Sequence, residues 1–133
     1  MSMNRSMPPS VVIPELPYPD VREAVDWLCR VFGFKERLRI GEHRAQLTFG
    51  DGSLVVTKRT SETASFSVMV RVDQADQHYE HAKRSGAHII NPPADYPYGE
   101  RQYIVEDSSG HHWTFSQTIA DVDPGSWGGV LFE

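Results

Sequence analysis

Helix and turn punctuation recurs in this chain at a nearly fixed interval, and that recurrence limits the fold more than any other feature. Asp20 and Asp73 each precede an apolar stripe of helical spacing, and Gly33 and Gly86 each follow one; both pairs are 53 residues apart. Gly52 and Gly110 each sit in a hairpin signature, 58 residues apart, and the Pro-rich run from Asn91 to Gly99 supplies the extra length. Three such pairs in the same order point to an internal duplication.

Each copy reads β-α-β-β-β. In the first, a strand begins at Val11-Val12-Ile13 and runs to Tyr18. Asp20 then caps a helix, with Glu23 three residues on completing a capping box. Val21, Ala24, Val25, Leu28, Val31 and Phe32 form its buried stripe. Strands over 34–40, 44–49 and 53–58 follow, the last two joined through Gly50-Asp51-Gly52. A polar connector, Thr60 to Thr63, leads to the second copy: a strand over 65–72, a helix capped by Asp73, and a brief strand over 88–90. A rigid loop over 91–99 precedes a final hairpin around Asp107-Ser108-Ser109-Gly110. The helix of a βαβββ unit covers one sheet face and leaves the other bare. The expected fold class is therefore α+β, with two βαβββ modules forming a curved mixed sheet around a cleft. Residues 1–10 read as a disordered amino-terminal segment, 11–117 as a single domain (modules 11–59 and 64–117) and 118–133 as a tail. The apolar tail residues Trp127 and Val130-Leu131-Phe132 either cover a neighbouring copy or fold back.

Composition narrows the partners. The 133 residues carry a net charge of −5 with 13 Lys and Arg, which offers no broad cationic surface to a phosphate backbone, so no nucleic acid partner is expected. No run approaches membrane-spanning length, so no membrane partner is expected and a cytoplasmic location follows by default. The single cysteine, Cys29, falls in the first apolar stripe and reads as a small core residue. Gly50-x-Gly52 is a hairpin, since a strand and not a helix follows it, and no nucleophile elbow or phosphate-cradling loop is present.

Several stretches resemble the vicinal oxygen chelate superfamily, the glyoxalase, bleomycin-resistance and dioxygenase group. They are PDVREAVDWLCRVFGF, GDGSLVV, VDQADQHYEHAKRSGAHI and, most specifically, YGERQYIVEDSSGHHWTF with its Asp-x-x-Gly-His-x-Trp turn. The tail resembles those of glyoxalase-like members of uncharacterised function. The resemblance implies metal ligands on the cleft face of the first and fourth strands of each module. Here those positions hold Ile13, Val55 or Val56, Ser67 and Thr114, and a one-residue slip in register brings in no better donor. No metal or other cofactor is therefore expected. The resemblance also implies a homodimer.

Strand alternation selects the lining of the cleft. Ala45, Leu47 and Phe49 point to the core, so Arg44, Gln46 and Thr48 face the cleft, as do Glu15, Ser67, Met69, His112 and Thr114. Arg101 and Tyr103 share one face, which parity alone does not assign. His111 is expected at the rim beside its turn. The ligand-binding candidates are Gln46, Ser67, Met69, Arg101, Tyr103, His112 and Thr114; Glu15 and His112 are the weaker acid–base candidates. His78 and His81, at i and i+3, read as a solvated helix face rather than a zinc clip. The leading expectation is a metal-independent small-molecule-binding protein of the glyoxalase/bleomycin-resistance type, with its ligand in the cleft. One alternative is a lyase or isomerase of the glyoxalase type, with non-standard metal ligands or metal-free acid–base chemistry. The other is an interaction domain with a closed cleft.

Overall fold

A computed structural model describes residues 4–10, 12–59, 66–128 and 130. The chain divides after Phe66 into two compact units, each built as a βαβββ module with its own four-stranded mixed sheet. The expected start of the first strand at Val11, the connector 60–63 with Ser65, and Leu131-Phe132 lie outside the described residues.

In the first unit, β1 (Glu15–Tyr18) runs parallel to β4 (Gly52–Lys58), and β3 (Arg44–Phe49) and β2 (Lys35–Ile40) follow antiparallel, in the order β1-β4-β3-β2. Between β1 and β2, α1 (Val21–Trp27) continues into a π-helical turn, Leu28–Phe32. The Asp20 carboxylate accepts from the Glu23 backbone N–H at 3.2 Å, which caps α1 as the sequence predicts. Every member of the predicted stripe, from Val21 to Phe32, is buried. Gly33 ends the helix at φ 90°, and Gly86 ends its counterpart in the second unit at the same φ.

Cross-strand partners share a face, so the pairing sorts every side chain. Leu47 lies opposite Leu54 on one side and Glu36 on the other, and Arg22 of α1 reaches Glu36 at 2.7 Å. The face bearing Leu16, Ala45, Leu47, Leu54 and Val56 is thus the one α1 covers. Hydrogen bonds from Arg39 and Arg22 hold the Glu36 carboxyl down at about 2. The opposite face, free of helix, carries Glu15, Val55, Gln46 and Leu38 in one cross-strand row.

The second unit repeats the plan as β5 (Ser67–Arg71), β8 (His112–Thr118), β7 (Glu100–Glu106) and β6 (His88–Tyr96), in that spatial order. The His78 and Tyr79 rings of α2 (Ala75–Arg84) pack on Tyr103 and Phe115, so α2 covers the face bearing Tyr103, Val105, Trp113 and Phe115. Asp73 does not cap this helix. Its N-cap is Gln74, and the first helical N–H, of Ala75, is taken by Gln117 Oε1 from β8 at 2.9 Å. The predicted rigid loop over 91–99 is mostly strand: β6 runs through Pro92-Pro93, with register shifts on both sides of Asn91. An edge strand tolerates proline because its outward N–H groups have no partner to lose.

The hairpin between β7 and β8 is tied by one carboxylate. Asp107 accepts from the Ser109 and His111 backbone N–H groups and from the Trp113 indole, at 2.9, 3.0 and 3.0 Å. His111 is fully buried and not at the rim, because the turn folds its ring inward beneath the bonded backbone. The tail folds back on the β6–β7 turn. The Gly99 carbonyl accepts from Ile119 and Ala120, and Trp127 packs edge-on against Tyr98. A side chain at Gly99, where φ is 83°, would collide with the Ala120 carbonyl.

Asp107→Ala leaves three donors without their carboxylate, two of them in buried residues. We expect it to lower the unfolding free energy by roughly 2–4 kcal/mol. Urea denaturation should show this as a lower midpoint at unchanged slope, while Ser109→Ala should cost less than about 0.5 kcal/mol.

Candidate functional site

The helix-free faces are where side chains remain available for chemistry. In the second unit three cross-strand rows lie on that face: Ser67, His112, Glu106 and His88; Met69, Thr114, Ile104 and Asn91; Arg71, Ser116, Gln102 and Ala94. Met69 is 64% exposed, and Thr114 and Ile104 are half-buried, so the middle of this face is open. The structure therefore brings Ser67, Met69, His112 and Thr114 together as parity requires.

Arg101 and Tyr103 lie on the other side of the same sheet. Arg101 bonds Asp76 of α2 at 2.9 Å and Asp95 at 2.8 Å. Tyr103 is fully buried beneath α2 with its hydroxyl on His78 Nδ1, and burial pushes its phenol up. His78 therefore turns toward the core and does not lie on the solvated helix face expected for it, whereas His81 is exposed.

A polar relay that the sequence reading missed fills the third row. Tyr98 donates to Gln102 Oε1 at 3.1 Å, Gln102 Nε2 to Ser116 Oγ at 3.0 Å, and Ser116 to Glu100 Oε1 at 2.6 Å. Gln102 and Ser116 are buried, and stacked Tyr96 and Tyr98 border the relay, ring centroids 5.6 Å apart. Hydrogen bonds from Ser116 and Thr118 hold the Glu100 carboxyl below the ordinary carboxylate range, against the opposing effect of burial. The signal was available in the alternation: Gln102 has the opposite parity to Arg101 and Tyr103, and Ser116 the parity of Thr114.

Of the other candidates, His112 stands beside Glu106 at 4.0 Å, and His88 approaches the same carboxylate oxygen at 3.3 Å. Glu15 pairs with Arg44 at 2.7 Å on the helix-free face of the first unit. Gln46 also lies on that face but is only 4% exposed, because residues 4–10 lie over it. Cys29 is half-buried, and burial raises its thiol pKa. A depression of about 350 Å³ at the β3–β4 turn, lined by Gly33, Lys35, Thr48, Phe49 and Gly50, gathers no set of titratable groups.

The resemblance implies metal ligands at the positions held here by Ile13, Val55 or Val56, Ser67 and Thr114, and of the two valines Val55 lies on the helix-free face. That set does not fit a divalent ion: two members have no donor atom, and the others are neutral hydroxyls. Among the described residues, no group of three or more His, Cys, Asp and Glu is arranged to hold a metal ion. Among the same residues, no helix is long and apolar enough to cross a membrane.

Comparison with known proteins covers most of the chain. The sequence model of the Glyoxalase/Bleomycin resistance protein/Dioxygenase superfamily matches residues 10–115. TioX from Micromonospora sp. ML1 is 38% identical, with 82% of this chain and 98% of that one covered, at a TM-score of 0.76. TnmS3, an antibiotic-binding protein from Streptomyces sp. CB03234, is 22% identical over 80% of this chain and 93% of its own, at a TM-score of 0.70. An uncharacterized protein of Mycobacterium tuberculosis is 28% identical over 57 residues, 43% of this chain and 34% of that protein. The match thus spans about a third of the length of that curated relative.

Because the Ser116 hydroxyl donates to the Glu100 carboxylate and holds it low, Ser116→Ala should move that carboxyl up toward the ordinary carboxylate range. A carboxyl-carbon NMR titration reads this directly; an unmoved Glu100 would show that Ser116 is not what holds it.

Proposed function

The chain belongs to the glyoxalase/bleomycin resistance protein/dioxygenase superfamily, and on that premise we propose that it is a small-molecule-binding protein that takes its ligand on the helix-free sheet faces without a metal ion. One observation carries this reading. The open row of Met69, Thr114 and Ile104 lies next to a buried, hydrogen-bonded relay with aromatic rings at its border. Apolar walls with a few fixed polar groups are the usual composition of a ligand site. A flat, ring-bearing molecule suits that surface: Met69 and the tyrosines supply apolar and stacking contact, and Gln102 and Ser116 orient it. The antibiotic binding described for TnmS3, whose likeness to this chain is one of fold, sets the compound class to try first.

In this reading Ser67, His112 and Thr114 contact a ligand on the helix-free face of the second unit, and Gln46 is a binding residue on the first unit's own helix-free face. Glu15, held by Arg44, and His112, beside Glu106, shape the surface electrostatically rather than move protons. Arg101 and Tyr103 serve the packing of α2. The proposal includes the homodimer implied by the family; a monomer in light scattering at micromolar concentration would remove that part.

A thermal-shift screen with aromatic and antibiotic compounds tests the proposal, since a ligand that binds only the folded state raises the melting temperature. A hit should act equally in EDTA and lose its effect in Thr114→Trp, which fills the open row while leaving the unliganded melting temperature within a few degrees. A chelator-sensitive hit, or one indifferent to Thr114→Trp, would contradict it.

A further inference from the structure

The two helix-free faces differ in what covers them. On the inner strands of the second unit's central row Thr114 and Ile104 are half-buried, whereas their counterparts in the first unit, Val55 and Gln46, are 3% and 4% exposed; the outer-strand members, Met69 and Glu15, are exposed in both. Over Gln46 lies the segment 4–10. Arg37 Nη1 donates to Gln46 Oε1 at 2.7 Å, which turns the amide so that Gln46 Nε2 meets the Ser6 carbonyl at 2.8 Å. Arg37 Nη2 meets the adjacent Arg5 carbonyl at 3.0 Å. Pro8 is buried, and Ser10 Oγ bonds the Asp51 carbonyl and Ser53 Oγ at 2.8 and 2.7 Å.

We propose that residues 4–10 are a strap seated in a ligand subsite, and that Arg37 and Gln46 beneath it select a ligand presenting two carbonyl oxygens spaced as in neighbouring peptide units. The inference rests on the reading that the helix-free faces hold the ligand, and it names the ligand's chemistry. Two facts fix that chemistry. Gln46 is buried and its own oxygen is already used, so its remaining group is a donor that must find an acceptor. The guanidinium offers only donors, and its position beside the amide sets the spacing of the two acceptors. The strap meets the demand with two successive backbone carbonyls, and an amide-bearing small molecule would meet it in the same way. The strap is in turn suited to leave: it has no helix or strand of its own and is held by a handful of bonds at its ends. While seated, it lowers the apparent affinity of an incoming ligand by the fraction of time it is away.

The test uses the full chain and, as probe, a capped synthetic peptide of sequence NRSMPPS. Pro8→Gly with Ser10→Ala loosens the strap, which faster hydrogen exchange of the Gln46 side-chain amide reports independently. The loosened chain should bind the peptide about tenfold more tightly than the unaltered one, the strap's occupancy having been the penalty. Adding Gln46→Ala or Arg37→Ala should remove the gain. As a second variant, Gln46→Glu sets a carboxylate against the Ser6 carbonyl and should expel the strap, raising the rate of tryptic cleavage after Arg5. Equal peptide affinity in the tight and loosened chains, or a gain that survives Gln46→Ala, overturns the strap. Screening hits blocked by Thr114→Trp, together with equal peptide affinity in the tight and loosened chains, would overturn the strap and leave the proposed function standing. Peptide capture by the loosened chain with no compound hit would do the reverse.

Discussion

A sheet has two faces, and among the described residues each unit has one α-helix; what becomes of the second face decides the rest. Under α1 and α2 the packing is complete, with Leu47 and Val56 in one unit and Trp113 and Phe115 in the other excluded from water. Burial there supplies the stability of the fold, at roughly 1.5–3 kcal/mol for each large side chain. The opposite faces carry few large apolar groups and many hydroxyls, amides and charges. In one unit the chain's own amino-terminal segment lies across that face. In the other it is open beside Tyr98, Gln102 and Ser116, and an open face with fixed polar groups is where a ligand is most readily accommodated.

The stretch that most resembles the superfamily is architectural. Asp107 spends its carboxylate on two backbone N–H groups and the Trp113 indole, and so sets the turn that places β8 beside β5. That placement brings Ser67, Met69, His112 and Thr114 into register. The positions at which the resemblance implies metal ligands hold Ile13, Val55 or Val56, Ser67 and Thr114, a set with no carboxylate, imidazole or thiolate. Fold and chemistry are separable here, as they are on other widely shared scaffolds.

Much of this was legible in the residues, and the failures have physical reasons. Helix boundaries followed from Asp20, Gly33 and Gly86, where capping and positive φ are local demands. The faces of β3 and β8 followed from alternation, because Ala45 and Leu47, like Trp113 and Phe115, are unmistakably apolar. Alternation did not decide β7, where Arg101 and Tyr103 oppose Gln102 and Ile104: both sets are mixed in polarity, and only α2 reaching down to Asp76–Arg101 and His78–Tyr103 settles the matter. Pro92-Pro93 suggested a loop because proline cannot donate, but an edge strand asks for no donation on its outer side. His111 was misplaced because a turn can fold its flanking ring inward. The bonds of residues 4–10 to Arg37, Gln46 and Ser53 are tertiary and leave no periodic trace in the sequence.

The most direct measurement is a crystal structure of the chain with a bound screening hit, grown in the presence of a divalent metal salt. The account predicts the compound on the helix-free face of β5–β8, against Met69 and Thr114 and within hydrogen-bonding distance of the Gln102–Ser116 relay, with no protein-held cation touching it. A compound lodged beneath α2, or bound through an ion seated on side chains of this chain, would contradict it.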